Sequence, residues 1–227
     1  KTYLDYAINP DYFNINSENA ELQIVITNPN STQPIQVESF QIDFLVGDEA
    51  TALIAKGKAP QCTPPKGWTS SQEGGLGSYK ITSSTDNTLK DDAINIVFSG
   101  LNINTLIGTA KLTITENLIG KPKRTISFSI SKFPEIFYMN ELKLNPGRIP
   151  ENGTTILKWK NSPLANYTLS YGDTTMTIEP EGSLSIKNIK EKTKFIITGT
   201  YGTTTDNILG SKHIKVNVDK LKVNFSP

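Results

Sequence analysis

The first half of the chain alternates apolar and polar residues in short runs. Residues 109–115 and 125–130 place apolar side chains on one face and Thr, Lys or Ser on the other. This period of two is typical of a half-buried β-strand. Further alternating runs are 21–28, 35–46, 78–82 and 93–98. No segment carries a convincing stripe of apolar residues at helical i, i+3, i+4 spacing, so the pattern predicts an all-β protein.

The run 35–46 changes phase near its middle. Val37 belongs to one register, whereas Phe40 and the apolar residues after it belong to the other. An extra residue in a strand moves the following side chains to the opposite face of the sheet. We therefore predict a β-bulge near Glu38 and Ser39.

Residues 56–77 lack this alternation and are rich in glycine and proline. Loops of this length inside a compact domain are uncommon and are often functional. The stretch contains Cys62 and Trp68. We predict a long irregular loop here and regard it as a candidate contact surface.

The chain is predicted to form two domains, residues 1–133 and 134–227. The boundary falls at Ser131 to Pro134, where a predicted strand ends and proline resists further pairing. Turn signals separate seven predicted strands in the second domain: 136–144, 154–160, 167–171, 175–178, 183–186, 194–201 and 212–218. The predicted fold is two tandem antiparallel β-sandwiches, the second immunoglobulin-like.

A resemblance to a known family supports this interpretation of the second domain. The segments that carry it are 154–159, which ends in Trp159, then 167–172, 180–183 and 193–199. Together they resemble the bacterial Ig-like modules of large secreted, cell-surface or toxin-associated proteins, over residues 136–218. The resemblance implies display, spacing or adhesion, and it supplies no catalytic residues. For residues 1–133 we recognise no family.

Composition excludes several functional classes. The formal net charge is +1, and of the 23 basic residues all but Arg124 and Arg148 are lysine. Because arginine is the usual residue for bidentate phosphate and base contacts, nucleic acid is not a predicted partner. Cys62 is the single cysteine, so no intrachain disulfide can form. No apolar run reaches the length needed for a transmembrane helix.

We expect a secreted or cell-surface protein that acts as a monomer. The chain starts at Lys1 without a signal-like region, which indicates either cleavage upstream or a piece of a longer chain. The predicted strand 212–218 carries lysine at alternating positions. Such lysines protect an edge strand against pairing with another sheet, which favours a monomer.

Residues that could support catalysis are few. The single histidine, His213, and Cys62 fall in different predicted domains, and no Gly-x-Ser-x-Gly segment is present. We predict no enzymatic activity and no cofactor. Asp91 and Asp92, with Asp86 nearby, are weak candidates for calcium ligands, because they lack a fuller ligand pattern and are better explained as solvated turn residues.

Aromatic residues are the better indication of binding. Trp68 follows the segment Pro64-Pro-Lys66-Gly, and its indole could stack on a sugar or enter a partner's pocket. The favoured interpretation of such a tryptophan is nevertheless that it folds back and caps the sandwich. Lys66 and Tyr79 are grouped with it as candidate ligand contacts. Trp159, on a predicted strand, is interpreted as a core residue.

Recognition is therefore the predicted function. The chain is expected to bind a glycan or protein receptor, as the targeting part of a toxin or adhesin. One alternative is a purely structural spacer within a larger protein. A hydrolytic accessory domain would require two facing carboxylates, and the sequence indicates no convincing pair.

Overall fold

The computed structural model describes residues 2–57, 59–83, 88–202 and 207–220. Over these residues the chain forms nineteen β-strands and no helix. It divides into two compact units, Lys1–Glu135 and Ile136–Pro227. The predicted all-β fold class is confirmed.

The first unit contains eleven of the strands and the second contains eight. Those of the first unit are β1 (Asp5–Asn9), β2 (Tyr12–Asn14), β3 (Ala20–Thr27), β4 (Ile35–Phe44), β5 (Gln61–Thr63), β6 (Trp68–Gln72), β7 (Ser78–Ser83), β8 (Thr88–Leu89), β9 (Ile94–Leu101), β10 (Gly108–Leu118) and β11 (Arg124–Phe133). Those of the second are β12 (Met139–Asn145), β13 (Arg148–Pro150), β14 (Gly153–Asn161), β15 (Asn166–Tyr171), β16 (Thr174–Ile178), β17 (Glu181–Ile189), β18 (Thr193–Tyr201) and β19 (Ile208–Asp219).

Two sheets form the first unit. One has the strand order β1-β3-β9-β5, and the larger has the order β2-β11-β10-β4-β7-β6, with β8 also pairing with β4. Among the described pairings between these strands, β2 with β11 is parallel and the others are antiparallel.

The core of the first unit lies between the inner faces of these sheets. On β10, Leu112 and Ile114 are fully buried, whereas Lys111 between the strand's apolar positions is exposed. From the facing sheet, the ring of Phe98 meets Phe44 edge-on at 5.3 Å between centroids. The alternation that predicted this strand therefore reflects a sheet with one buried and one solvated face.

The predicted bulge in β4 is confirmed. Asn117 pairs with Ser39 while its neighbour Leu118 pairs with Val37, so Glu38 is the extra residue. The shift lets apolar residues on both sides of it face the core.

The second unit has the strand order of an immunoglobulin-like sandwich. One sheet is β12-β14-β17 and the other is β13-β19-β18-β15-β16. In immunoglobulin terms these strands correspond to A-B-E and to G-F-C-C′, with β13 added beside G. The predicted Ig-like fold of this part is thus confirmed. Strand β13 lies between the predicted strands 136–144 and 154–160, where the sequence predicted no strand.

Trp159 packs in the core of the second unit, as predicted. The side chain is 7% exposed, and its Nε1 donates a hydrogen bond to the backbone oxygen of Glu179 at 2.8 Å. A Cβ atom added to Gly182 would lie 2.8 Å from Cζ2 of the indole. Glycine at this position on β17 therefore allows the neighbouring strand to contact the flat face of the ring.

The first unit repeats this core order, which the sequence did not reveal. Its β1, β3 and β9 correspond to A, B and E, and β11, β10 and β4 correspond to G, F and C. The segment between β4 and β9 adds four further strands. The prediction of one long irregular loop over residues 56–77 is therefore corrected, because this stretch contains β5 and β6.

The predicted edge strand 212–218 also needs correction. In the structure, β19 pairs with β18 on one side and with β13 on the other, where Arg148–Pro150 meets Asn217–Asp219 in parallel. Its lysines therefore do not mark a free edge along the whole strand. This strand therefore favours a monomer less than its lysines suggested, and the monomer stays a prediction.

Candidate functional site

Trp68 starts strand β6 and caps the core of the first unit. Its ring stacks on Phe40 with centroids 5.7 Å apart and planes at 23°. The backbone N–H of Trp68 donates to the oxygen of Pro65 at 3.0 Å, which holds the preceding turn. The indole is half-buried, so only part of it remains open to a ligand.

Lys66 and Trp68 line one pocket of about 200 Å³, together with Pro65, Leu89 and Asp92 among others. Lys66 and Asp92 are exposed. The structure therefore brings together two of the three residues that the sequence grouped.

Tyr79 lies in the core and not in this pocket. The residue is 4% exposed, and its hydroxyl donates to the backbone oxygen of Pro60 at 2.7 Å. Its ring packs edge-on against Phe98, with centroids 5.0 Å apart. Burial raises the pKa of Tyr79 to about 12. The side chain is thus already used by the fold.

The candidate calcium ligands do not form a cluster in the described residues. Asp91 and Asp92 are exposed in the turn between β8 and β9, and Asp86 falls outside the described residues. Across the described ranges, no group of three or more His, Cys, Asp or Glu could hold a metal ion. The same ranges contain no helix of the length and apolar character needed to cross a bilayer.

A larger pocket than that of Trp68 lies elsewhere in the first unit, at the end of β4. It has a volume of about 450 Å³ and is lined by Asp43, Phe44, Leu45, Val46, Gly75, Leu76, Gly77, Ser78, Lys111 and Thr113. Leu45 is 55% exposed and Leu76 is 40% exposed. A concave, largely apolar site with a few polar groups is typical of ligand and partner recognition.

One wall of this pocket is the hairpin between β6 and β7. Glu73 N donates to Ser78 O at 2.9 Å and closes the hairpin. Phe44 N in turn donates to Gly77 O at 2.9 Å and joins the hairpin to β4. A Cβ atom on Gly77 would lie only 2.0 Å from the Phe44 oxygen. Glycine is therefore required for this close approach of two backbones.

Two polar side chains flank the apolar part of the pocket. The Asp43 carboxylate accepts hydrogen bonds from Ser78 Oγ at 2.5 Å and from Gln41 Nε2 at 3.1 Å. Lys111 is exposed on β10 and has no ion-pair partner among the described residues. The pocket thus offers an apolar surface beside a cation that is available to an incoming anion.

A buried amine supports the loops that approach this end of the sandwich. Lys132 on β11 is fully buried, and its Nζ donates to Ala52 O at 2.6 Å and to Asn104 Oδ1 at 3.1 Å. Asn104 Nδ2 donates in turn to Gly47 O at 2.6 Å. Burial lowers the pKa of Lys132 to about 8. Both acceptors are uncharged, so no carboxylate in this network offsets the effect of burial on the pKa.

A buried carboxylate fixes the beginning of the first unit. Glu116 is fully buried on β10; its Oε1 accepts from Tyr3 N at 2.6 Å, and its Oε2 accepts from Tyr6 Oη at 2.8 Å and Leu4 N at 3.3 Å. Burial, with help from the Glu116 carboxylate, raises the pKa of Tyr6. The guanidinium of Arg124 lies 3.8 Å from the centre of the Tyr3 ring. These hydrogen bonds tie the first residues of the unit to β10, so Glu116 has a structural role.

Comparison with known proteins adds little to this description. No family model matches the chain, and no curated protein matches it. The chain is 11% identical to an ectodomain fragment of ICAM-5, with a TM-score of 0.31 and with 96% of this chain and 47% of the fragment covered. It therefore spans about half the length of that fragment.

Two further solved structures are similar at the same level. For the tandem Ig repeats of Dlar the identity is 10% and the TM-score 0.30, with 96% of this chain and 98% of that chain covered. For BcpA, the major pilin subunit of Bacillus cereus, these values are 11% and 0.36, with 96% and 68% covered. Likenesses this weak carry no argument, so the Ig-like description rests on the strand order alone.

Proposed function

We propose that this protein is a non-catalytic recognition module and that its first unit binds a protein partner at the pocket beside β4. The observation that carries the proposal is the exposure of Leu45 and Leu76 at the rim of a 450 Å³ pocket in an otherwise well-packed sandwich. Partner side chains that anchor protein interfaces fill pockets of this kind. Lys111 beside it favours a partner with an acidic group near its apolar anchor.

The chemistry of the pocket favours a protein over a glycan. Sugar rings pack their C–H groups against open aromatic faces. The apolar rim here is formed by aliphatic side chains, and Phe44 within the pocket is only 5% exposed. The indole of Trp68 is stacked on Phe40 instead of standing free. An aliphatic or aromatic residue of a polypeptide fits such a surface better.

As its setting, we propose a secreted or surface-exposed bacterial protein, with this chain as the targeting part of an adhesin or toxin. This rests on the resemblance of residues 136–218 to Ig-like modules of such proteins. The single His213 and the structural use of Glu116 support a non-catalytic role.

A spacer is the second candidate function. The division of the chain into two compact units in tandem favours it, because such units can separate other domains without binding anything. The two functions can be distinguished by measuring binding. A recognition module binds a ligand through one particular surface, whereas a spacer binds none.

The test is selection of a phage-displayed linear peptide library on the wild-type chain. The Leu45→Asp/Leu76→Asp double variant removes the apolar rim, and Leu106→Asp is the matched control, because Leu106 is an exposed leucine of the same unit. Circular dichroism checks that all variants fold. We expect peptides with an apolar residue near Asp or Glu, bound by the wild type and the control but not by the double variant.

A glycan array run in parallel separates the alternatives. Binding to a glycan that is lost in Trp68→Ala would overturn the proposal and move the site to the pocket of Trp68 and Lys66. Absence of both peptide and glycan binding would favour the spacer. Peptides that bind the double variant as well as the wild type would also contradict the proposed pocket.

A further inference from the structure

The second unit has four sheet edges among its described strands, and three of them carry features that discourage pairing with another chain. Strand β12 has Glu141 and Lys143 and a register shift, and β13 is short and ends in Pro150. Strand β17 is interrupted where Asn188 adopts a φ of 58°. Charges, proline and bulges are the devices by which proteins protect open edges.

Strand β16 has none of these features. Its sequence, Thr-Thr-Met-Thr-Ile over Thr174–Ile178, contains no charge, proline or glycine. The first four residues are exposed, and the strand pairs in unbroken register with β15 alone. Alternate residues of such an edge strand direct their N–H and C=O groups outward. This edge is therefore a hydrogen-bonding surface without a partner strand in the described residues.

Acidic side chains flank this uncharged edge. Asp173 immediately precedes β16 and Glu179 immediately follows it, and both are exposed. Neither carboxylate has an ion-pair partner among the described residues. A partner strand would thus meet backbone groups in the middle and negative charge at each end.

We propose that β16 accepts an extended strand of a partner polypeptide, with an uncharged, β-branched centre and Lys or Arg near both ends. In strand addition the main-chain hydrogen bonds supply affinity and the side chains supply specificity. Cross-strand pairing of threonine with β-branched residues suits the centre. The flanking carboxylates select the basic ends and oppose acidic ones.

A second copy of the chain fits this edge poorly. In antiparallel pairing of two copies centred on Met176, Asp173 of one copy lies opposite Glu179 of the other, because both are three residues from Met176. Like charges directly opposite each other destabilise a strand pair. The occupant is therefore a strand of different sequence.

The experiment uses the full chain and two synthetic peptides. One has Thr-Val-Thr-Val-Thr at its centre and Lys at both ends, and the other has Glu in place of each Lys. Peptide affinity is measured by fluorescence anisotropy, and the binding surface is mapped by amide NMR shifts. We expect the Lys peptide to bind about 2- to 10-fold more tightly than the Glu peptide at low salt. The largest shifts should fall on Thr174–Ile178.

Two variants test the two parts of the proposal. Thr177→Lys places a charge on the exposed edge and should weaken binding of the Lys peptide about tenfold or more. Ser185→Lys, at an exposed position of β17, makes the same change on a protected edge and should leave the affinity unchanged. Asp173→Lys should reverse or remove the preference between the peptides, because it inverts the charge of one flank.

Several outcomes would overturn the proposal. These are shifts that map away from β16, equal affinity for both peptides at low salt, and an equal loss of affinity in Thr177→Lys and Ser185→Lys. A dimer in sedimentation velocity that dissociates in Thr177→Lys would assign the edge to a second copy instead.

Discussion

The buried amine of Lys132 should make the stability of the first unit depend on pH, and Lys132→Met tests this. In the folded chain Nζ donates to two neutral oxygens, and burial lowers its pKa from 10.5 to about 8. Methionine has a similar length and no titratable group. The difference in the free energy of unfolding between wild type and variant therefore isolates the titration of this amine.

The sign follows from the protons that each state binds. Below about pH 8, Lys132 is protonated in both the folded and unfolded chain, so pH has no effect through this group. Between about pH 8 and 10.5 the unfolded chain keeps the proton that the folded chain has released, and stability rises with pH. The full shift corresponds to about 3 kcal/mol. After a discount for solvent screening we expect the wild type to gain about 1 to 2 kcal/mol relative to the variant from pH 7 to pH 10.

The assay is urea unfolding at several pH values between 7 and 10. The chain has two tryptophans, Trp68 in the first unit and Trp159 in the second. Both proteins carry Trp159→Phe, so fluorescence reports the first unit only. Other groups titrate in this range, for example Cys62, whose pKa burial raises to about 11. They are present in both proteins and cancel in the difference.

Lys111→Met is the matched control, because it removes an exposed amine from the neighbouring strand. Its stability relative to wild type should not change with pH over this range. A difference between wild type and Lys132→Met that stays constant, or that falls as pH rises, would refute a lowered pKa for this buried amine.

Two further changes test the packing of the first unit in the same unfolding assay. Glu116→Gln should lower the free energy of unfolding by about 2 to 4 kcal/mol, because it weakens charge-assisted hydrogen bonds and turns one acceptor into a donor. The control Glu38→Gln, at an exposed position, should have little effect. Similar losses in both variants would contradict a structural role of Glu116. Gly77→Ala should cost about 1 to 3 kcal/mol and speed amide exchange at Phe44, because its Cβ would meet the Phe44 oxygen. Gly75→Ala, whose Cβ would enter open space, should do neither; equal effects of the two alanines would refute the close-approach argument.

The alternation of apolar and polar residues predicted two strands and also indicated which of their positions are buried. Residues 109–115 and 125–130 became β10 and β11, with the expected faces buried. The apolar alternation of each strand, extended by two residues, reaches Glu116 on β10 and Lys132 on β11. These are the two buried charged side chains among the described residues. Tyr79 was grouped with the ligand contacts, but it lies two positions from Ile81 on the same face of β7, and this alternation was the signal for a core residue.

The pocket beside β4 was harder to predict. The segment Gly74-Gly-Leu-Gly77 lacks the lysine and the following helix of a phosphate-binding loop, and its local pattern indicates no other role. Its actual role depends on β4, since Gly77 is needed where Phe44 approaches. Strand β13 was missed for a related reason, because three residues ending in Pro150 have no local pattern and pair only once β19 is beside them.

The sequence by itself determined the all-β class, the bulge in β4 and the succession of short strands in the second unit. These follow from side-chain periodicity and turn residues, which act over a few positions. Tertiary structure decided which strands neighbour each other, where the pocket forms and how the buried charges are satisfied. Glu116 receives its hydrogen bonds from Tyr3, Leu4 and Tyr6, more than one hundred positions away along the chain. Such partners are set by the packing of whole sheets, which no local pattern records.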